Sequence, residues 1–222
     1  MIYLRGILLL FLSIQEVYSQ DKVFVVKEGE RPESSIPFSF RFLNADFAKG
    51  HLELFSGKRT GISAFNYDLL GKKIVFIGEK NDTLVIADDS NVKYLIIENH
   101  RFYHDPNRGY FEILSGDSLY YLTSSTKLIS RKSTKATDEG YGGTTNGTSA
   151  SVNLKNPQII FTRLTNFFII NRNGELTSAN KKGFLKTFPV REDFISKYIK
   201  DERIDFNKEN EVIKLFKFCV SN

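Results

Sequence analysis

From Val23 to Ile129 apolar and polar positions mostly alternate with a period of two, and turn residues break the alternation at regular spacing. The run LELF (Leu52–Phe55) is followed by polar SGKRTG, then ISAFNYDLL, then Gly71-Lys72-Lys73, then IVFIG. KND, TLVIA, DDSN and VKYLII continue the series, followed by YFEIL (Tyr110–Leu114), SGDS and LYYLTSSTKLI. Each apolar run is rich in Ile, Val, Phe and Tyr, which fit a pleated, half-buried surface, and each is bounded by Gly, Asn, Asp or Ser. The pattern predicts an antiparallel β-meander over residues 20–132, as a curved sheet or a partly open barrel.

The segment Ser133–Asn153 (STKATDEGYGGTTNGTSASVN) breaks the pattern. It has almost no aliphatic residues to offset the entropy of ordering, so it predicts a flexible loop over 133–153. Strand character resumes over 154–179, with Asn173-Gly174 as a tight hairpin turn. Over 180–222 the period becomes helical. KKGFLKTF predicts a short helical turn, and Pro189 suits a first helical position. Val190, Phe194, Ile195, Tyr198 and Ile199 then recur at helical spacing, with Glu192 and Asp193 favourable in the first turn. Asn207 is expected to cap a last helix whose apolar stripe is Val212, Leu215, Phe216 and Cys219. The expected fold class is α+β: a meander followed by two or three C-terminal amphipathic helices laid on the sheet.

The first residues set the expected compartment. Arg5 precedes the apolar run Gly6–Ile14, and Gln15-Glu16 ends it. That run is too short for a membrane anchor, which takes about 20 apolar residues, and fits the core of a secretory signal peptide over 1–19. Val17-Tyr18-Ser19 supplies the cleavage pattern, giving a mature chain from Gln20, or from Asp21 if the cut follows Gln20. No cysteine lies near that point, so a lipoprotein is not expected, and no later segment reads as membrane-spanning. The predicted location is the periplasm or the outer surface.

Composition supports a packed protein: 41% of the 222 residues are hydrophobic, with 20 Phe and 10 Tyr. The one cysteine, Cys219, cannot form an internal disulfide and reads as a small buried hydrophobe. Net charge is +5, and loss of Arg5 and Glu16 with the signal would leave it at +5. Export argues against nucleic acid, so the expected partner is another protein or an anionic envelope polymer.

The most chemical-looking stretch is NHRFYHDP (Asn99–Pro106), with two of the three histidines. It follows the strand VKYLIIE and leads into the turn Asp105-Pro106-Asn107-Arg108-Gly109, so it reads as extended. His100, Phe102 and His104 then share a face, with the imidazoles ~13 Å apart at 3.3 Å per residue, too far to share one metal. His51 adds a possible third ligand only if the chain brings it there. Ser124-Ser125-Thr126-Lys127 matches S-x-x-K, but it ends the strand LYYLT and has neither partner motif, so it reads as a chance match. Phosphate-binding, dinucleotide, calcium and nucleophile-elbow signatures do not occur. No catalytic, cofactor-binding or metal residues are assigned. Asp82-Thr83-Leu84 and Asp117-Ser118-Leu119 match a short O-glycan acceptor pattern of some Gram-negative bacteria. Asn81-Asp82-Thr83 and Asn146-Gly147-Thr148 match the N-linked sequon, which would matter only in a eukaryotic secretory pathway.

The run Gly109–Gly116 (GYFEILSG), the earlier Phe65-Asn66-Tyr67-Asp68, and the tail GFLKTFP…FISKYIKDERIDFNKENEVIKLFKF together carry a resemblance. They resemble uncharacterised exported β-rich proteins of Bacteroidetes-type bacteria. The resemblance implies a periplasmic or surface location and brings no activity with it. The sequence favours a non-catalytic binding or structural protein of the cell envelope. The alternatives are a periplasmic carrier of a lipid-like ligand and a hydrolase with an unrecognised site.

Overall fold

The computed structural model describes residues 23–135 and 153–221. The expected signal peptide and most of the expected 133–153 loop, with its Asn146 sequon, lie outside the described residues. The strands are β1 (Val23–Lys27), β2 (Ala48–Leu54), β3 (Ser63–Asp68), β4 (Lys73–Ile77), β5 (Thr83–Val85) and β6 (Val92–Ile97). They continue with β7 (His100–Asp105), β8 (Gly109–Gly116), β9 (Tyr120–Lys135), β10 (Asn153–Asn171) and β11 (Leu176–Ser178). All belong to one antiparallel sheet in the order β1-β10-β9-β8-β7-β6-β2-β3-β4-β5, with β11 also on β10. The sheet is open, with β1 and β5 at its two ends. β9 and β10 are long strands that pair as far as Asn153↔Lys135, so both ends of the expected loop are strand.

The two-residue period explains the inner face. Leu52, Phe65, Tyr67, Ile74, Leu95, Ile97, Phe102 and Tyr110 point the same way across β2 to β8 and form one buried cluster. In β8 the period slips: a bulge between Ile113 and Ser115 leaves Leu114 unpaired, which blurs the faces of YFEIL.

The sheet is rolled about that face. β10 and β3 stand six positions apart in the strand order, ~29 Å if the sheet were flat at ~4.8 Å per strand. Yet Arg163 of β10 donates from Nη2 to the Leu43 carbonyl at 2.8 Å, and the Leu43 N–H donates to the Tyr67 carbonyl of β3 at 2.9 Å.

Two short helices that the sequence pattern did not signal, α1 (Pro32–Ser35) and α2 (Phe38–Arg41), cover the β1 end. Pro32 opens α1, and Pro37 immediately precedes α2. They place Ile36 and Phe40 against Val26 and Phe161. Four-residue helices are too short to show a 3.6-residue period.

The chain ends in α3 (Lys181–Thr187), a 3-10 turn (Pro189–Arg191), α4 (Glu192–Asp201) and α5 (Glu209–Val220). Phe184, Ile195, Val212, Leu215 and Phe216 pack on Leu122, Phe167 and Ile169 of β9 and β10. Asn180 caps α3, its Oδ1 accepting from Gly183 N–H at 2.9 Å. Arg191 satisfies the end of α5, donating from Nη1 to the carbonyls of Phe218 and Cys219. Asn207 is not the cap expected of it. Lys208 holds that position, while Asn207 donates to Asp205 Oδ1 and Glu211 accepts from Asp205 N–H at 2.6 Å. The Asn173-Gly174 turn is longer than a two-residue hairpin. Ile170 pairs with Leu176, and Asn171 Oδ1 closes the connection by accepting from the N–H groups of Asn173 and Glu175.

Among the described residues no helix is long and apolar enough to cross a membrane.

Candidate functional site

The three histidines take three separate partners. NHRFYHDP is strand β7, as its sequence reads. His100 Nδ1 meets Glu112 Oε1 at 2.5 Å beside the first turn of α5. Burial and the Glu112 charge push the nearby Glu209 carboxyl up, and His100 pulls it down. His104 is buried and stacks on Tyr110 with ring centroids 4.4 Å apart. Its Nδ1 donates to the Val92 carbonyl at 3.0 Å, leaving Nε2 toward Asp89 at 3.5 Å. His51 Nε2 lies 3.9 Å from Glu53, buried and without a hydrogen bond. Among the described residues no group of three or more His, Cys, Asp or Glu could hold a metal.

S-x-x-K lies within β9, where Ser124 and Lys127, three residues apart, face opposite sides. A Ser–Lys dyad cannot form there. Thr83 opens the edge strand β5, Ser118 lies in the β8–β9 connection, and both are exposed.

What the sequence did not assemble is a basic cleft. β8 and β9 pair from Gly116↔Tyr121 to Glu112↔Ser124, where the register ends. Beyond that point β8 stays with β7, and β9 leaves with β10. The parting of the two strands opens a cleft of about 340 Å³. Lys72, Arg108 and Lys127 line it with Tyr67, Ser125 and Asn166, and among the described residues no carboxylate lines it. Phe168 and Leu176 form its apolar wall, backed by Phe111 and Leu69. The Phe111 and Phe168 rings meet edge to face at 5.5 Å.

Two of the three cations sit on turns organised by an aspartate. At the end of β3, Asp68 Oδ1 accepts from the N–H groups of Leu70 and Gly71 at 3.0 and 3.2 Å. This turn holds Lys72 in the left-handed region at φ 52°. Asp68 is buried and also takes a two-pronged contact from Arg41, at 3.1 and 2.6 Å. After β7, Asp105 Oδ1 accepts from the N–H groups of Asn107 and Arg108 at 2.9 and 3.1 Å. Gly109 follows at φ 89°, close to the Tyr67 hydroxyl. Each carboxylate is engaged in holding its own turn, so the nearby cations stay available. Lys72 and Lys127 make no ion pair among the described residues, and Arg108 has only a 3.7 Å approach to Asp105.

The cleft also carries neutral hydrogen-bonding groups with no partner among the described residues. The Ser125 hydroxyl, the Asn166 carboxamide and the Tyr67 hydroxyl make no hydrogen bond to other described residues. Burial, then Asp89 and Asp68, push the Tyr67 phenol up to about 12, so it stays a neutral donor at ordinary pH. Its neighbour Tyr110 donates to Asp89 Oδ2 at 3.0 Å. The arrangement suits recognition of a negatively charged, hydrogen-bonding group.

The signals for these residues were in plain view but separate. Gly71-Lys72-Lys73 and DPNRG (Asp105–Gly109) both read as turns, and Lys127 belongs to the S-x-x-K match. The roll of the sheet brings them together.

No family model matches the chain, and no curated protein or solved structure matches it.

Proposed function

We propose that the protein is an exported, non-catalytic binding protein of the cell envelope that takes an anionic envelope polymer as its partner. The carrying observation is the cleft where β8 and β9 part, with three cations from three separate parts of the chain and, among the described residues, no lining carboxylate. The N-terminal pattern Arg5, Gly6–Ile14 and Val17-Tyr18-Ser19 supports export, and the net charge of +5 suits an anionic partner. A small cleft with a cationic rim fits a charged unit of a polymer better than a lipid-like cargo, which needs a larger apolar interior.

The test is co-sedimentation of the purified protein with envelope material from its own cells, at low and high salt. Binding that high salt releases, and that Lys72→Glu with Lys127→Glu abolishes, is the expected result. No co-sedimentation, or co-sedimentation indifferent to both salt and the double variant, would overturn the proposal.

A further inference from the structure

The cleft's groups differ in kind, and that difference narrows the ligand. A site that only attracted negative charge would need the cations alone. This one adds the hydroxyl of Ser125, the carboxamide of Asn166 and the phenol of Tyr67, none of them satisfied by another described residue. Ser125 and Asn166 are cross-strand partners in the β9–β10 ladder, so their side chains stand side by side. Polar groups at a recognition site select for ligands that complete their hydrogen bonds, because a dry ligand leaves them unpaired. Two residues along β10 from Asn166, and so on the same face, Phe168 is partly exposed, meets Phe111 edge to face and forms an apolar wall with Leu176. The volume of about 340 Å³ lies at the small end of the ~300–1,000 Å³ range of small-ligand sites. That accommodates one compact ring with its substituents and not a folded peptide.

We infer that the cleft between β8 and β9 reads a single acidic sugar residue of a polysaccharide. The oxyanion meets Lys72, Arg108 and Lys127, ring hydroxyls meet Ser125, Asn166 and Tyr67, and the apolar face of the ring lies against Phe168. The inference rests on the anionic-polymer reading above and adds the unit that is recognised. A uronate, a sulfated sugar and a phosphorylated sugar share this chemistry, and the choice among them is left to the ligand panel. The turns built on Asp68 and Asp105 hold two of the cations before any ligand arrives, which lowers the ordering cost of binding.

The experiment is calorimetric titration of the full chain with a short oligouronate, its carboxyl-reduced neutral counterpart, sulfated and phosphorylated oligosaccharides of equal length, and polyaspartate. Backbone amide shifts of Ser125 and Asn166 are followed in parallel. At least one acidic oligosaccharide should bind about tenfold or more tighter than both the neutral oligosaccharide and polyaspartate. It should shift the two amides, and it should weaken about tenfold with Lys127→Met and again with Asn166→Ala. Lys127 is exposed on its strand, so Lys127→Met leaves the fold testable.

Polyaspartate binding as tightly as the best acidic sugar would overturn the inference while leaving the anionic-polymer reading intact. So would failure of every acidic oligosaccharide while salt-sensitive co-sedimentation persists. A neutral oligosaccharide matching the acidic ones would also overturn it. Failure of both the titration and the co-sedimentation would remove both proposals together.

Discussion

Arg41 of α2 grips Asp68 at the end of β3 with both arms of its guanidinium, Nε to Oδ1 at 3.1 Å and Nη2 to Oδ2 at 2.6 Å. The pair links the helices over β1 to the meander, and the same carboxylate holds the turn that presents Lys72. Hydrogen bonding to Asp68 raises the Arg41 pKa, against the opposing effect of burial. Arg41→Ala would leave a buried carboxylate without its cation. It is expected to cost about 3 kcal/mol, read as a lower urea midpoint at unchanged slope. It should also weaken ligand binding at the cleft by loosening the Lys72 turn. Unchanged stability would mean that Asp68 finds water instead.

Glycine positions give a sharper packing test. A Cβ at Gly50 would meet the Ile96 carbonyl oxygen across the β2–β6 pair, and one at Gly183 would meet the Ser178 carbonyl oxygen beneath α3. In both places backbone must move, so Gly50→Ala and Gly183→Ala should each cost about 2 kcal/mol or more. Gly61→Ala meets nothing within 4 Å and is the control, expected within about 0.5 kcal/mol of the parent. Thermal melts of the three variants would show the ranking, and a stable Gly183→Ala would contradict the close approach of α3 to β11.

The protein should lose stability in alkali before its lysines discharge. Burial pushes the Cys219 thiol up to about 12 from 9.0 and the Tyr67 phenol up to about 12 from 10.0, and the Tyr110 phenol also rises. Between the unfolded and folded values the unfolded chain has already released these protons and the folded chain holds them. Raising the pH through that window therefore favours unfolding. Stability is expected to fall from about pH 9 upward, by about 1.4 kcal/mol per pH unit for each such group once past its unfolded value. Urea titrations at successive pH values would give the slope, and Tyr67→Phe should flatten it above pH 10.

Cys219 should be chemically quiet in the folded state. It is buried on α5 among Leu215, Phe216 and Val212, and Arg191 only partly offsets the burial that holds the thiol protonated. Alkylation at neutral pH should proceed only with unfolding, so its rate should rise with urea in parallel with the loss of structure. Fast labelling in native buffer would place the thiol at the surface.

The sheet was legible because its inner face repeats Leu, Phe, Tyr and Ile at every second position, and neighbours such as Leu95↔Phe102 and Phe65↔Phe76 pair across strands. The C-terminal helices were legible from the spacing of Val212, Leu215, Phe216 and Cys219. Local competition hid other features. Asp205 Oδ1 accepts from both the N–H and the carboxamide of Asn207 and so draws Asn207 away from capping α5, and α1 and α2 are each a single turn. The cleft was not legible for a geometric reason. Lys72, Arg108 and Lys127 are far apart in the chain, and they meet only because β9 leaves β8 after Ser124 while the sheet rolls. No local pattern encodes where two strands stop pairing.

β10 pairs with β1 over Gln158–Thr162 and with β11 over Phe168–Ile170, so elements from opposite ends of the chain are stitched to one strand. Val26, with its helices, sits at one end of that strand, and Phe184 and Phe216 sit at the other. Amide exchange should therefore resolve two semi-independent opening units that share the β9–β10 ribbon as their slowest-exchanging part. Release of β1 would bare Phe161 while leaving the helical layer over Phe167 and Ile169 closed.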